Sequence, residues 1–205
     1  MIELKEIYVK KSRIPDTFLK YNQLVVTTEN DSRVFPKLKQ IEDKIVRFVN
    51  EGRNLLIISN ITGNGKTTWA TRIGLSYIDK YAQDYAFENN TPVLFINVSE
   101  FLLQKKLSIS NYNIRDEVND VESSMLTAKI VIFDDIGTSF ASDYDKELLY
   151  AWINYRNSHG LTSIFTSNVS GNDLESLLGH RIYSRIVNDS ITFEITGKDM
   201  REVSK

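Results

Sequence analysis

The chain has no cysteine in its 205 residues. That excludes disulfides and every thiolate metal site, Cys-rich zinc modules among them. It also fits a reducing compartment. Long apolar runs are missing too. The longest are about five residues, far short of a membrane span. Met1-Ile2-Glu3-Leu4-Lys5-Glu6 offers no apolar core for a secretion signal. A soluble, cytoplasmic protein with no membrane partner is expected. Charge of one sign is also missing: the net charge is -2 and the pI about 5.8. The surface as a whole is no polycation, so strong non-specific duplex binding is not expected. Glycines number 9 and gather at turns, and there is no internal repeat or low-complexity linker. A hydrophobic share of 41% then suits one domain with a real core.

Five short apolar runs read as strands: Leu55–Ser59, Val93–Val98, Ile130–Asp134, Ser163–Ser167 and Ile191–Ile195. They are continuous rather than alternating, which suits parallel strands covered on both faces. Helical patterns fill the gaps. Phe35–Asn50 carries Leu38, Ile41, Ile45, Phe48 and Val49 on one side. Thr68–Tyr81 carries Trp69, Ile73, Tyr77 and Tyr81 at helical spacing, with Trp69 read as core. Asp143–Ser158 opens on Asp143 and Asp145, which favour the positive end of a helix dipole. Ser170-Gly171-Asn172-Asp173 resembles a capping box. The alternation predicts a doubly wound, five-stranded parallel α/β sheet.

The first predicted strand runs into Asn60-Ile61-Thr62-Gly63-Asn64-Gly65-Lys66-Thr67-Thr68, and a helix follows. Strand, glycine-rich loop and helix form a P-loop, whose backbone N–H groups cradle phosphate at a helix N-terminus. Thr62, Gly63, Asn64, Gly65, Lys66, Thr67 and Thr68 are the predicted nucleotide-binding residues. Lys66 is expected to reach the β/γ-phosphates and Thr67 to ligate Mg²⁺, so ATP and Mg²⁺ are the expected cofactors. Asn60 stands where the pattern has its first glycine. Asparagine enters positive φ readily, so the loop is expected to survive. A chance Gly-Lys-Thr in a turn is the bland alternative.

Lys129-Ile130-Val131-Ile132-Phe133-Asp134-Asp135-Ile136-Gly137 is an apolar strand ending in two acids. Alone, the pair reads equally well as a strand cap. With a P-loop about 70 residues upstream, Asp134 is expected at Mg²⁺ and Asp135 at the attacking water. Asn168 ends the fourth strand, where its amide can bond the γ-phosphate or the water. Arg181 and Arg185 lie at i and i+4 on one helix face. Arginines there can clamp phosphoryl charge, even in a neighbouring subunit, or can simply be solvated.

These motifs, in this order, resemble the AAA+ ATPases of the DnaC/DnaI helicase-loader group and their IstB relatives. Ser12-Arg13-Ile14-Pro15-Asp16-Thr17-Phe18 resembles the Ile-Pro-x-x-Phe/Tyr element upstream of that core. Gly197-Lys198-Asp199-Met200-Arg201 resembles its C-terminal Gly-x-Asp-x-Arg. The resemblance implies an AAA+ core over 35–205 without a full helical lid, preceded by an extension over 1–34. It implies Lys66 and Thr67 as Walker A, Asp134 and Asp135 as Walker B, Asn168 as sensor 1 and Arg181 as the arginine finger, with Arg185 second. It implies an ATPase that self-assembles with ATP and helps place a hexameric replicative helicase on single-stranded DNA. An IstB-like transposition helper and a nucleotide switch with negligible turnover remain the alternatives.

The chain departs from the family pattern in three ways. Asn60 replaces a glycine. Thr192 and Glu194 stand where a sensor 2 arginine is expected, with Arg201 a possible substitute. The extension is short and cysteine-free, as in a minimal loader of phages or mobile elements, so the helicase contact is sought in Met1–Val26. For DNA, Phe101–Val118 interleaves Lys105, Lys106 and Arg115 with Tyr112, which suits phosphate contact and base stacking. A solvated helix–loop is the alternative.

Overall fold

The computed structural model describes residues 2–20, 24–84, 90–137, 142–169 and 171–200. In chain order the elements are α1 (Ile2–Lys11), α2 (Asp16–Lys20), α3 (Glu29–Asp43), α4 (Ile45–Asn50), β1 (Asn54–Ile58) and α5 (Lys66–Asp84). Then follow β2 (Val93–Asn97), α6 (Val98–Ser110), α7 (Tyr112–Thr127), β3 (Ile130–Asp134) and α8 (Asp143–Ser158). The last are β4 (Thr162–Ser167), α9 (Gly171–Leu178), α10 (His180–Val187) and β5 (Ser190–Glu194). The strands form one parallel sheet in the order β2-β3-β4-β1-β5.

Both faces of the sheet are covered, which explains the unbroken apolar runs. Leu55, Ile57, Val93, Phe95, Ile130, Ile132 and Ile164 face one core with α3, α4 and α5. Leu56, Ile58, Leu94, Ile96, Val131, Phe133 and Phe165 face the other with α6 to α10. The five strands and their parallel direction match the sequence reading.

The helix expected over 35–50 is two helices. Thr28 caps α3 by accepting a hydrogen bond from the Asp31 N–H at 3.1 Å, so the helix starts earlier. Lys44, at φ -107° and ψ 25°, breaks the continuation, and its N–H bonds both Gln40 and Ile41 carbonyls. Trp69 is buried in the first core, its ring 5.3 Å from that of Phe35. Asp145 serves α8 as expected of an acid in a first turn, accepting from the Ser142 N–H at 3.0 Å. Ser170, the first residue of the expected capping box, lies outside the described residues.

The proposed 34/35 boundary falls inside α3. Tyr8 and Ile14 are buried in the first core, and Ser12 accepts a bond from the Phe95 N–H on the edge strand β2 at 2.7 Å. Arg156 of α8 is fully buried. Its guanidinium donates to the carbonyls of Met125, Ala128 and Thr162 and to the Ser163 hydroxyl. Burial pushes its pKa down to about 9.

Candidate functional site

A parallel sheet gathers its strand exits along one edge, and ligands bind there. At that edge lie the loop 59–65 after β1, Asp134 at the end of β3, and Asn168 after β4. β4 sits between β1 and β3, yet loop and acid still meet. The Thr67 hydroxyl donates to Asp134 Oδ1 at 2.8 Å. Thr166 of β4 fills the gap: its hydroxyl donates to the same oxygen at 2.6 Å and accepts from the Asp135 N–H at 3.0 Å. Asn168 Nδ2 donates to Asp135 Oδ1 at 2.6 Å.

The loop is braced from within. Asn64 is buried, and its amide donates to Ser59 Oγ at 2.6 Å and to the Ile195 carbonyl at 3.2 Å. Lys66 Nζ donates to the Ile61 carbonyl at 2.8 Å and to Asn64 Oδ1 at 3.3 Å. Lys66 begins α5, with Thr67 and Thr68 in its first turn. The left-handed turns fall on Gly63 (φ 67°) and Gly65 (φ 103°). Outside glycine, positive φ among the described residues occurs at Arg13 and Asp135 alone. Asn60 is therefore not left-handed, which corrects the expectation for it. The loop turns at the two later glycines, so its first position accepts asparagine without strain.

Gly63 has a second reason to be glycine. A Cβ there would lie 1.9 Å from Asp199 Oδ1, because the segment after β5 folds back onto the loop. The Met200 N–H bonds the Gly63 carbonyl at 3.0 Å. The same segment is tied to the start of α3: the Thr196 N–H bonds Asp31 Oδ1 at 3.1 Å and the Lys198 N–H bonds Thr27 Oγ1 at 3.1 Å. Arg201 lies outside the described residues.

Asp135 holds φ 57°, a region that aspartate tolerates and that functional sites favour. Asp134 is buried, and burial, with Asp135 beside it, pushes its pKa up to about 6. Such a carboxylate wants a cation. Two hydroxyls and a carboxylate are hard oxygen donors, which suits Mg²⁺. Thr67 and Asp134 would hold the ion, which would supply charge neutralisation to a triphosphate.

The sign of that shift makes a prediction. Asp134 titrates at about 6 in the fold against 3.8 unperturbed, so the native state is penalised as the carboxylate ionises. The penalty is absent below the lower value and complete above the higher one. Asp134→Asn keeps Oδ1 as the acceptor for both threonines. Without Mg²⁺ it is expected to stabilise the protein by roughly 1–3 kcal/mol at pH 8 and by nothing measurable at pH 4. Melting curves at the two pH values check this; equal shifts at both would refute it.

Arg181 lies on the other layer, on α10, which packs against α8. Its Nη1 is 3.2 Å from Glu147 Oε1, and its Cζ lies 4.0 Å from the Tyr150 ring centroid. The described structure thus brings Lys66, Thr67, Asp134, Asp135 and Asn168 together and sets Arg181 apart, outward-facing. In the 101–118 segment, Lys105 pairs with Glu122 and Lys106 with Asp145, both at 2.7 Å. Arg115 stacks on the exposed Tyr112 at 4.1 Å. Thr166 and Asp199 entered the sequence reading only within motifs, and Tyr150 only within a helix. Thr166 had a signal, since it lies two residues before Asn168; the other two had only their motif or helix.

Fold and loop together define a parallel α/β protein with a glycine-rich loop between strand and helix. No family model matches the chain. It is similar to the replicative helicase loader DnaC of Buchnera aphidicola subsp. Baizongia pistaciae, 25% identical over 138 residues, 67% of this chain and 52% of that protein. The DnaC of Buchnera aphidicola subsp. Acyrthosiphon pisum is 25% identical over 151 residues, 73% of this chain and 57% of the relative. The chain thus spans little more than half the length of these curated relatives. Among solved structures, the DnaC helicase loader superposes with a TM-score of 0.66 at 20% identity, covering 87% of this chain and 96% of the other. DnaI gives 0.66 at 20%, with 91% and 94% covered. The initiator DnaA bound to AMPPCP and single-stranded DNA gives 0.61 at 14%, with 83% and 48% covered. The chain is thus similar to DnaC in sequence and shares the fold of DnaC and DnaI.

Proposed function

We propose that this chain is an ATP-binding and ATP-hydrolysing helicase loader. It acts in the cytoplasm, assembles head to tail with ATP, and helps place a hexameric replicative helicase on single-stranded DNA. The observation that carries the reading is the divided site: loop, acids and Asn168 meet at one sheet edge, while Arg181 faces outward from the opposite layer. A site built this way is completed by a neighbour.

In this reading the N–H groups of 63–67 face the phosphates, and Lys66 exchanges Ile61 and Asn64 for phosphate oxygens. Asp135 leaves Asn168 and polarises water, while Asn168 turns to the γ-phosphate. Arg181 of the next copy meets the charge that develops there, with Arg185 beside it. The DnaA relative that holds single-stranded DNA supports the same ligand here. Tyr112, with Arg115 stacked on it, offers a platform for a base. The helicase contact lies in the N-terminal segment. There the exposed Leu19 lines a recess of about 810 Å³ between α1, α2, α3 and α5.

Co-purification with a replicative helicase tests this. The helicase is expected to be retained with ATP and lost in the Lys66→Ala variant. Retention of a transposase in its place would move the assignment to the transposition helpers. Helicase capture with no ATP turnover, with or without single-stranded DNA, would leave a binding switch.

A further inference from the structure

Resting on the finger reading above, we propose that Tyr150 is the positioning residue that orders Arg181 and Arg185 for a neighbouring copy's triphosphate. Arg181 sits in a frame built by α8. Glu147 holds one edge of its guanidinium at 3.2 Å, and the Tyr150 ring lies under its face, 4.0 Å from Cζ to centroid. Arg181 and then Arg185, both beside the phenol in one recess, pull its pKa down. One tyrosine thus gathers two cations that would otherwise repel each other across one helical turn. The rim they form encloses a recess of about 310 Å³ lined by Tyr150, Arg181, Ser184, Arg185, Asn188 and Asp189.

The physical case rests on pre-organisation. A free arginine samples many rotamers, and docking must freeze one of them. The Glu147 pair is exposed on both sides, with side chains 66% and 65% accessible, so it orders little by itself. The ring adds a directional platform: it fixes the guanidinium plane while leaving N–H groups pointing outward. Tyr150 is only partly exposed and packs against the second core, so the platform itself is rigid. Its own position is set by α8, whose next-door residues Leu149, Trp152 and Ile153 are buried.

A subunit-mixing assay separates this from a structural role. One copy carries Arg181→Ala and supplies the nucleotide site; the other carries Lys66→Ala and supplies the finger. Each alone is expected to be nearly inactive, and the mixture to regain ATP hydrolysis. Adding Tyr150→Leu to the finger copy is expected to lower that regained rate at least tenfold. Adding it to the site copy, whose finger is already gone, is expected to lower it less than twofold. Tyr150→Phe in the finger copy keeps the ring and is expected to fall between, and it serves as the test should the leucine variant fold poorly. No regained hydrolysis in the parent mixture would overturn the finger reading itself. Regained hydrolysis that survives both Tyr150 variants, or that falls equally in either copy, would overturn the positioning role alone.

Discussion

Replacing Lys66 by alanine is expected to weaken ATP binding by at least a hundredfold, in the range of about 3 kcal/mol that a charge-assisted hydrogen bond supplies. Lys66 is 4% exposed, so its charge acts in a water-poor setting where Coulomb attraction is strong. Its ammonium is already aimed at the inner rim of the loop by the Ile61 carbonyl and Asn64 Oδ1. Exchange of these acceptors for phosphate needs only a short swing. Alanine removes the cation and leaves two loop acceptors without their donor, so the loop also loses its internal brace. Backbone N–H groups alone would then face the phosphates. Calorimetric titration with ATP and Mg²⁺ reads the effect directly. An affinity within threefold of the parent protein would refute the P-loop assignment for Lys66.

Arg156→Met is expected to destabilise the fold by about 3–5 kcal/mol, from several buried acceptors left unpaired at roughly 1–3 kcal/mol each and partly offset by relieved desolvation. The guanidinium binds the Met125 and Ala128 carbonyls, at the end of α7, and the Thr162 carbonyl, at the start of β4. All four of its described bonds go to carbonyls and a hydroxyl, so it acts as a buried connector between helix and strand. Helix ends leave carbonyls that need donors, and a cation is favoured there. Methionine fills volume but donates nothing. Arg156→Lys keeps the charge but loses the planar fork, so a smaller loss is expected. Urea unfolding midpoints check both; a methionine variant within about 1 kcal/mol of the parent would show that the desolvation cost balances the four bonds.

Much of the arrangement was legible in the sequence because it is local. Apolar runs mark strands whatever their order, and a glycine-rich loop with Lys66 and Thr67 must open a helix to work at all. Asp134 and Asp135 follow an apolar strand, so their place at a sheet edge follows from strand direction. Elsewhere the local signal misled. Asn60 stands at a glycine position, yet the backbone turns at Gly63 and Gly65. Thr28 starts α3 earlier than the predicted Phe35, because its hydroxyl caps the first turn. Asp135 carries the positive φ that was expected of Asn60.

By itself the sequence determined the five strands, the glycine-rich loop before α5, the acid pair at the end of β3 and the α/β class, all features written in residues a few positions apart. Tertiary structure decided what depends on chain segments that meet only after folding. It placed Thr166 between two acids from another strand, laid Asp199 against Gly63, and set Tyr150 beneath Arg181. The physical reason is that hydrogen bonds and ring contacts act over a few ångströms, whereas these partners lie some 30 to 140 positions apart in the chain. No period or motif in the sequence encodes that distance; the packing of the two layers on one sheet does.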